Sequence, residues 1–184
     1  MASKDHHTGN ISPELALLGF LIDGPSHGYD LHQHFVAELG QVWHLSQSQA
    51  YAILKRLEQR GDISAQVLEQ EKLPARQMLR ITAQGRKRFY DWMEEISFNS
   101  RSIRREFLTR LYFAQIYKPD MVAAIYEAQG NAVTSSIERL ENLLEHLPPE
   151  QVFNRLSLDL RLQQMQLIQN WMAEIRTQFH ISRR

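Results

Sequence analysis

Hydrophobic positions change their period along this chain, and each change marks an element. Leu15, Leu17, Leu18, Leu21 and Ile22 crowd every side of a first helix, leaving it almost no polar face. Ser12-Pro13-Glu14 reads as its opening: serine as N-cap, proline at the first helical position, a carboxylate in the first turn. A helix apolar all round belongs between packed layers. Gly24-Pro25 breaks the chain, and a second helix is expected from about His27 to Leu39, with Leu31, Phe35, Val36 and Leu39 as its core face and Gly40 as its end. Gly28 suits close backbone packing there.

The segment from Leu45 to Ile63, LSQSQAYAILKRLEQRGDI, is the most informative. Ser46 followed by Gln49 forms a capping box, and Ala50, Ile53, Leu54 and Leu57 then recur at i, i+3, i+4 and i+7. The opposite face carries Gln47, Ser48, Tyr51, Lys55 and Gln59, with Arg56 and Arg60 near its edges, until Gly61 stops the helix. Beyond it the period falls to two. Ile63, Ala65 and Val67 alternate with Ser64, Gln66 and Leu68, and a second extended run, Arg76 to Ile81, follows a polar loop around Glu71, Lys72 and Pro74. A two-stranded hairpin is expected, with Leu79 and Ile81 on one face and Arg76, Met78 and Arg80 on the other. Thr82 then caps a helix with Phe89, Trp92, Met93 and Ile96 as its apolar stripe. Helix, helix, helix, hairpin, helix is the order of a winged helix-turn-helix, a mainly α fold with a small wing.

Residues 97 to 102 are polar and irregular and mark an expected boundary. The reading divides the chain into a loose tail (1–10), a winged helix-turn-helix (11–97) and an all-helical part (98–184). In the last, a helix from about Ile103 to Ile116 is followed by a long helix to about Leu147, a break at Pro148-Pro149, and another long helix to about Phe179. Leu158, Leu162, Met165, Met172 and Phe179 make one stripe of the final helix, and Leu160, Leu167, Trp171 and Ile175 a second beside it. One partner helix cannot cover both, so a second chain is expected, most simply a twofold-related copy.

Charge changes the picture only when counted by segment. The formal net charge is zero, but residues 1–43 hold one basic and five acidic residues (−4), residues 44–90 nine and four (+5), and residues 91–184 eleven and twelve (−1). A polyanion senses potential within roughly 8–10 Å at physiological salt, so the basic segment can meet phosphates although the whole is neutral. The helix from Ser46 fits that use: amides and hydroxyls can bond base edges and phosphates, while lysine and arginine release counterions. The absence of cysteine removes disulfides, thiolate metal sites and cysteine nucleophiles. No apolar run approaches membrane-spanning length, no secretory core precedes the first helix, and a cytoplasmic protein without a cofactor is expected.

On these residues the chain resembles the PadR family of bacterial transcriptional regulators, and more closely its longer members with an all-helical C-terminal dimerisation arm. The resemblance rests on LALLGFL (from Leu15), HGYDL (from His27), the run from Ser46 to Ile63, PARQMLRIT (from Pro74) leading to Gly85, and REFLTRLYFA (from Arg105). Ala52 departs from a common proline, and Leu79 from a common aromatic. The resemblance implies a homodimer that binds double-stranded DNA at a near-palindromic operator, usually as a repressor, and that often answers to a small aromatic effector. Facing direction and resemblance together select Gln47, Ser48, Tyr51 and Lys55 on the recognition helix and Arg76 and Arg80 on the wing. Arg80 could instead pair with Glu69 across the hairpin.

Trp43, Trp92 and Phe98 are candidates for a planar effector near the junction of the two parts, with core packing as the competing and simpler reading of these side chains. His27, His32, His34 and His44 lie close in sequence, but no cysteine or well-spaced carboxylate completes a metal set. Glu94 and Glu95 are adjacent and point roughly 100° apart on a helix, so they form no catalytic pair. With no phosphate-cradling glycine loop or nucleophile elbow either, an enzyme is not expected. The competing function is a helical protein-interaction module built on a winged-helix scaffold that does not bind DNA.

Overall fold

The computed structural model describes residues 12–70 and 73–179, with the side chains of 67–76 outside that description. The expected tail (1–10) and the loop residues Glu71 and Lys72 therefore lie outside the described residues. Contacts divide the chain after Met93 into two compact units.

In the first unit, helix α1 (Glu14–Gly19) is followed by a short strand β1 (Ser26–His27), helices α2 (Gly28–Leu39) and α3 (Gln47–Gln59), strands β2 (Ile63–Gln70) and β3 (Leu73–Ile81), and helix α4 (Ala83–Met93). Helix α1 is buried on all sides through Ala16, Leu17 and Leu18, as its composition demands. Its start differs from expectation: Pro13, not Ser12, holds the cap position, no side chain caps it, and the Pro13 carbonyl accepts from the Leu17 amide at 3.0 Å. Helix α2 buries Leu31, Phe35 and Leu39 but turns Val36 outward and His32 inward. His32 is buried with its Nε2 2.9 Å from the Leu45 carbonyl, which partners one of its two ring nitrogens; Nδ1 has no hydrogen-bond partner among the described residues.

Helix α3 opens on the capping box, with the Gln49 amide donating to Ser46 Oγ at 3.3 Å and the Ser46 amide to Gln49 Oε1 at 3.0 Å. Ala50, Ile53, Leu54 and Leu57 form its buried stripe. Gly61, with φ of 76°, then turns the chain, a left-handed conformation that glycine adopts without strain. The expected hairpin is β2 with β3, antiparallel from Ile63 opposite Ile81 to Gln70 opposite Leu73, with a bulge between Leu68 and Gln70. Two features extend it. Strand β3 starts at Leu73 and includes Pro74, and β1 adds a third strand, pairing Ser26 with Leu79 and His27 with Met78, for a sheet order β1-β3-β2. Leu79 and Ile81 face the core as expected. Thr82 Oγ1 accepts from the Gly85 amide (3.1 Å) at the start of α4. A Cβ on Gly85 would stand 2.0 Å from the Asp62 carbonyl oxygen, so only glycine lets α4 lie this close to the end of α3. Phe89, Trp92 and Met93 are buried, whereas Ile96 lies beyond the helix end and is exposed, because the chain leaves the helical path at Met93.

The second unit is helical: α5 (Ser100–Ser102), a π-helical turn (Ile103–Phe107), α6 (Leu108–Tyr117), a 3₁₀ turn (Pro119–Met121), α7 (Val122–His146), α8 (Val152–Ile175) and a final 3₁₀ turn (Arg176–Phe179). Glu94 to Ser97 belong to this unit, tied in where the Ser97 amide donates to Gln129 Oε1 (2.9 Å) and Gln129 Nε2 donates back to the Ser97 carbonyl (2.6 Å). Arg110 is fully buried and donates to Ser97 Oγ. Burial lowers its pKa to about 10, against the opposing pull of Glu106 and Glu95. Burial likewise raises the pKa of Glu106, with Arg110 opposing and Glu95 adding.

Helices α7 and α8 pack as the expected hairpin, and Arg155 Nη1 donates to the carbonyls of Leu147 (2.9 Å) and Leu144 (3.2 Å) at the end of α7. Met165 and Met172 face inward with Ile175. Ile175 thus joins the inner stripe rather than the outer, since it follows Met172 by three residues on one helix face. Outward stand Phe153 (87% exposed), Leu156, Leu160 and Leu167 (70%). Phe153, Leu160 and Leu167 are spaced by seven, with Leu156 between, which is the a/d spacing of a helix seam.

Candidate nucleic-acid interface

The capping box and buried stripe of α3 fix which way its other side chains point. Gln47, Ser48, Tyr51 and Lys55 are all exposed, and their side chains make no hydrogen bond or ion pair with other described residues. Arg80 is exposed on β3 and likewise unengaged among the described residues. Its partner across the hairpin is Ser64, five residues from Glu69, so the register separates it from that carboxylate. Arg76 sits opposite Leu68 by its backbone, and its side chain lies outside the described residues.

Arg56 and Arg60, on the edge of the same helix, are used differently. Glu14 of α1 accepts from Arg56 Nε at 3.2 Å and from Arg60, while Asp62, almost wholly buried, pairs with Arg88 and stands 3.5 Å from Arg60. These arginines, with Arg88, hold α1, α3 and α4 together through ion pairs inside the unit. Burial acts to raise the pKa of Glu14, but the guanidinium groups of Arg60 and Arg56 outweigh it and hold the carboxyl below its ordinary value. On α4, Lys87 pairs with Asp91 at 2.6 Å and Arg86 donates to the Ile22 carbonyl at 3.3 Å. The basic segment therefore divides into braces and free cations, a division that a count of charges cannot show.

Tyr51 is 46% exposed and lies over the start of α2, where a Cβ on Gly28 would come within 3.0 Å of its ring. Between them is a groove of about 900 Å³, bordered by Tyr29, Tyr51, Lys55 and Gln77. His27 Nδ1 is 3.0 Å from the Gln77 carbonyl, linking the start of α2 to the wing strand. Tyr29 (52% exposed) and His27 were not among the residues chosen from sequence. Their signal was the H-G-Y run itself: a glycine that admits the Tyr51 ring also places its neighbours beside the recognition helix.

Trp43 and Trp92 are core residues of the first unit, and Phe98 is exposed in the second. Among the described residues no group of three or more His, Asp or Glu side chains could hold a metal ion, and no helix is long and apolar enough to cross a membrane.

A capped amphipathic helix offering amides, hydroxyls and an amine, flanked by a hairpin with a free arginine, defines a winged-helix DNA-binding domain. Residues 17–91 match the model of the transcriptional regulator PadR-like family. Over this domain the chain is similar to that family of transcriptional regulators. It is 27% identical over 132 residues, 72% of each chain, to the negative transcriptional regulator PadR of Bacillus subtilis. It is also similar to the crystal structure of Bacillus subtilis PadR in complex with operator DNA (25% identity, TM-score 0.45, covering 90% of this chain and 98% of that one). The structure of the same regulator in complex with p-coumaric acid gives 23% identity and a TM-score of 0.41, over 92% and 96%.

Proposed function

We propose that the protein is a cytoplasmic repressor that binds a near-palindromic operator as a homodimer, reading bases with α3 and gripping the backbone with α3 and the wing. Gln47 and Ser48, at the N-terminal end of α3, are the side chains placed to meet base edges, as amide and hydroxyl groups do in a major groove. Tyr51 and Lys55 take phosphate oxygens, with Arg80 and Arg76 on the wing meeting the backbone beside them. The observation that carries the reading is the unengaged polar face of α3, held outward by its own capping box and buried stripe. The a/d row of α8 supports the second half: a seam of Phe153, Leu156 and Leu160 left to water is best covered by the same seam of a second copy.

Selection of bound sequences from a pool of random duplexes by the full-length protein tests both halves together. The expected product is an inverted repeat whose half-sites lie about one helical turn, or a multiple of it, apart. Enrichment of a single asymmetric site would contradict the dimeric reading, and no enrichment would contradict base recognition.

A further inference from the structure

His27 lines the groove between the start of α2, α3 and β3, and its ring is engaged at one nitrogen only. Nδ1 stands 3.0 Å from the Gln77 carbonyl. A carbonyl oxygen can only accept, so the proton of the neutral ring sits on Nδ1 and is donated to Gln77. That leaves Nε2 as a bare lone pair, and among the described residues it has no hydrogen-bond partner. The ring is partly exposed, and although His27 holds the cap position of α2, its side chain caps nothing. Backbone pairing of His27 with Met78 holds the same residue against the wing strand, so the place of the ring is set twice.

The charges around this groove are poorly balanced for a polyanion. Among the described residues that line it, the ammonium group of Lys55 on α3 stands against two carboxylates, Asp30 on α2 and Glu58 on α3. The phenols of Tyr29 and Tyr51 line it too, and β3 brings the uncharged Gln77 and Leu79. With a neutral imidazole the formal balance is negative, and a phosphate seated beside Lys55 meets more like charge than opposite charge. One proton on His27 removes that excess.

We propose that His27 is a further phosphate contact of this face, made only by the protonated ring, so that the protein takes up a proton from solvent when it binds its operator. A phosphodiester oxygen offers lone pairs and no proton, and Nε2 of the neutral tautomer offers the same. The two can meet only once Nε2 is protonated. Nδ1 keeps its bond to Gln77 throughout, and the imidazolium then donates from both nitrogens, one to the wing strand and one to the phosphate. The first helix of a helix-turn-helix crosses the DNA backbone, which brings the start of α2 to such an oxygen. The inference rests on the DNA-binding reading above and adds a proton to it.

The test is calorimetric titration of the full-length protein with a selected duplex at one pH in two buffers of different ionisation enthalpy, PIPES and imidazole. Anisotropy at constant salt from about pH 6 to pH 8, the range in which imidazoles ordinarily change charge, accompanies it. Net proton uptake is expected, with affinity falling about tenfold as the pH rises through that range, the worth of one charge-assisted hydrogen bond. In His27→Gln the amide can still donate to the Gln77 carbonyl but cannot take a proton, so both uptake and pH dependence should be lost. In His44→Gln, at the exposed histidine just before α3, both should persist. Duplex binding without proton uptake would overturn the proposal and leave the DNA-binding reading standing, since a histidine that only clamps the wing moves no proton. Uptake that survives His27→Gln, or that His44→Gln removes, would overturn it equally. Failure to bind any duplex would overturn both readings.

Discussion

Helices α3 and α8 each bury one face and leave the other to solvent, but the two outer faces are chemical opposites. That of α3 shows amides, hydroxyls and an ammonium group, whereas that of α8 shows Phe153, Leu156, Leu160 and Leu167 in an a/d row. A polar outer face is content in water, so its meaning lies in what it can still bind: groups unengaged inside the chain are free for phosphates and base edges. An apolar outer face is costly in water at about 25 cal/mol per Å², so its meaning lies in what must cover it. Amphipathicity alone thus says little about function; the chemistry of the far side decides between a polyanion and a protein partner.

The largest effect is expected from attacking the apolar row. Phe153→Glu with Leu160→Glu should convert a dimer into a monomer in sedimentation and reduce operator affinity by about 10²-fold or more, the avidity lost when two half-sites are no longer held together. An unchanged mass would remove α8 as the dimer seam. Next comes the inner stripe of α3: Leu57→Ala should cost about 2–5 kcal/mol of stability in denaturant titration, since the buried side chain leaves a cavity behind. A cost below about 1 kcal/mol would show that the stripe does not fix the direction of the outer face.

The smallest effect concerns the brace behind α3. Glu14 is held below its ordinary pKa in the folded chain, so it contributes stability that is present above the unfolded value near 4.5 and is lost as pH falls through the lowered folded value. Glu14→Gln should therefore destabilise the protein at neutral pH by about 1 kcal/mol or less, because its arginine partners are about half exposed and screened. The difference from the parent should close in acid. A difference that persists or grows below that range would mean that Glu14 acts by shape rather than charge.

What the sequence displayed and what it hid follow from how local each cause is. The capping box, the i, i+3, i+4, i+7 stripe of α3 and the outward set Gln47, Ser48, Tyr51 and Lys55 arise within one helix, and all were readable. Strand β1 was not, because two residues carry no period; only its pairing with Leu79 and Met78, some fifty residues on, makes it a strand. Val36, Ile96 and Ile175 were placed on the wrong face because apolar character does not say which neighbour arrives, whereas His32 is drawn in by a carbonyl thirteen residues away. The uses of Arg56 and Arg60 depend on a carboxylate more than forty residues earlier. Tyr29 went unnoticed because its position beside Tyr51 depends on a glycine contact between helices.

The comparison of the two faces rests on the claim that the outer side of α3 is a reader and not a prop. Fluorescence anisotropy with a selected duplex, together with thermal melting, tests it in Tyr51→Ala/Lys55→Ala. The expected result is an affinity about tenfold or more weaker, a salt slope shallower by about one for the lost lysine contact, and a melting temperature unchanged. Unaltered affinity and slope in a stably folded variant would contradict it.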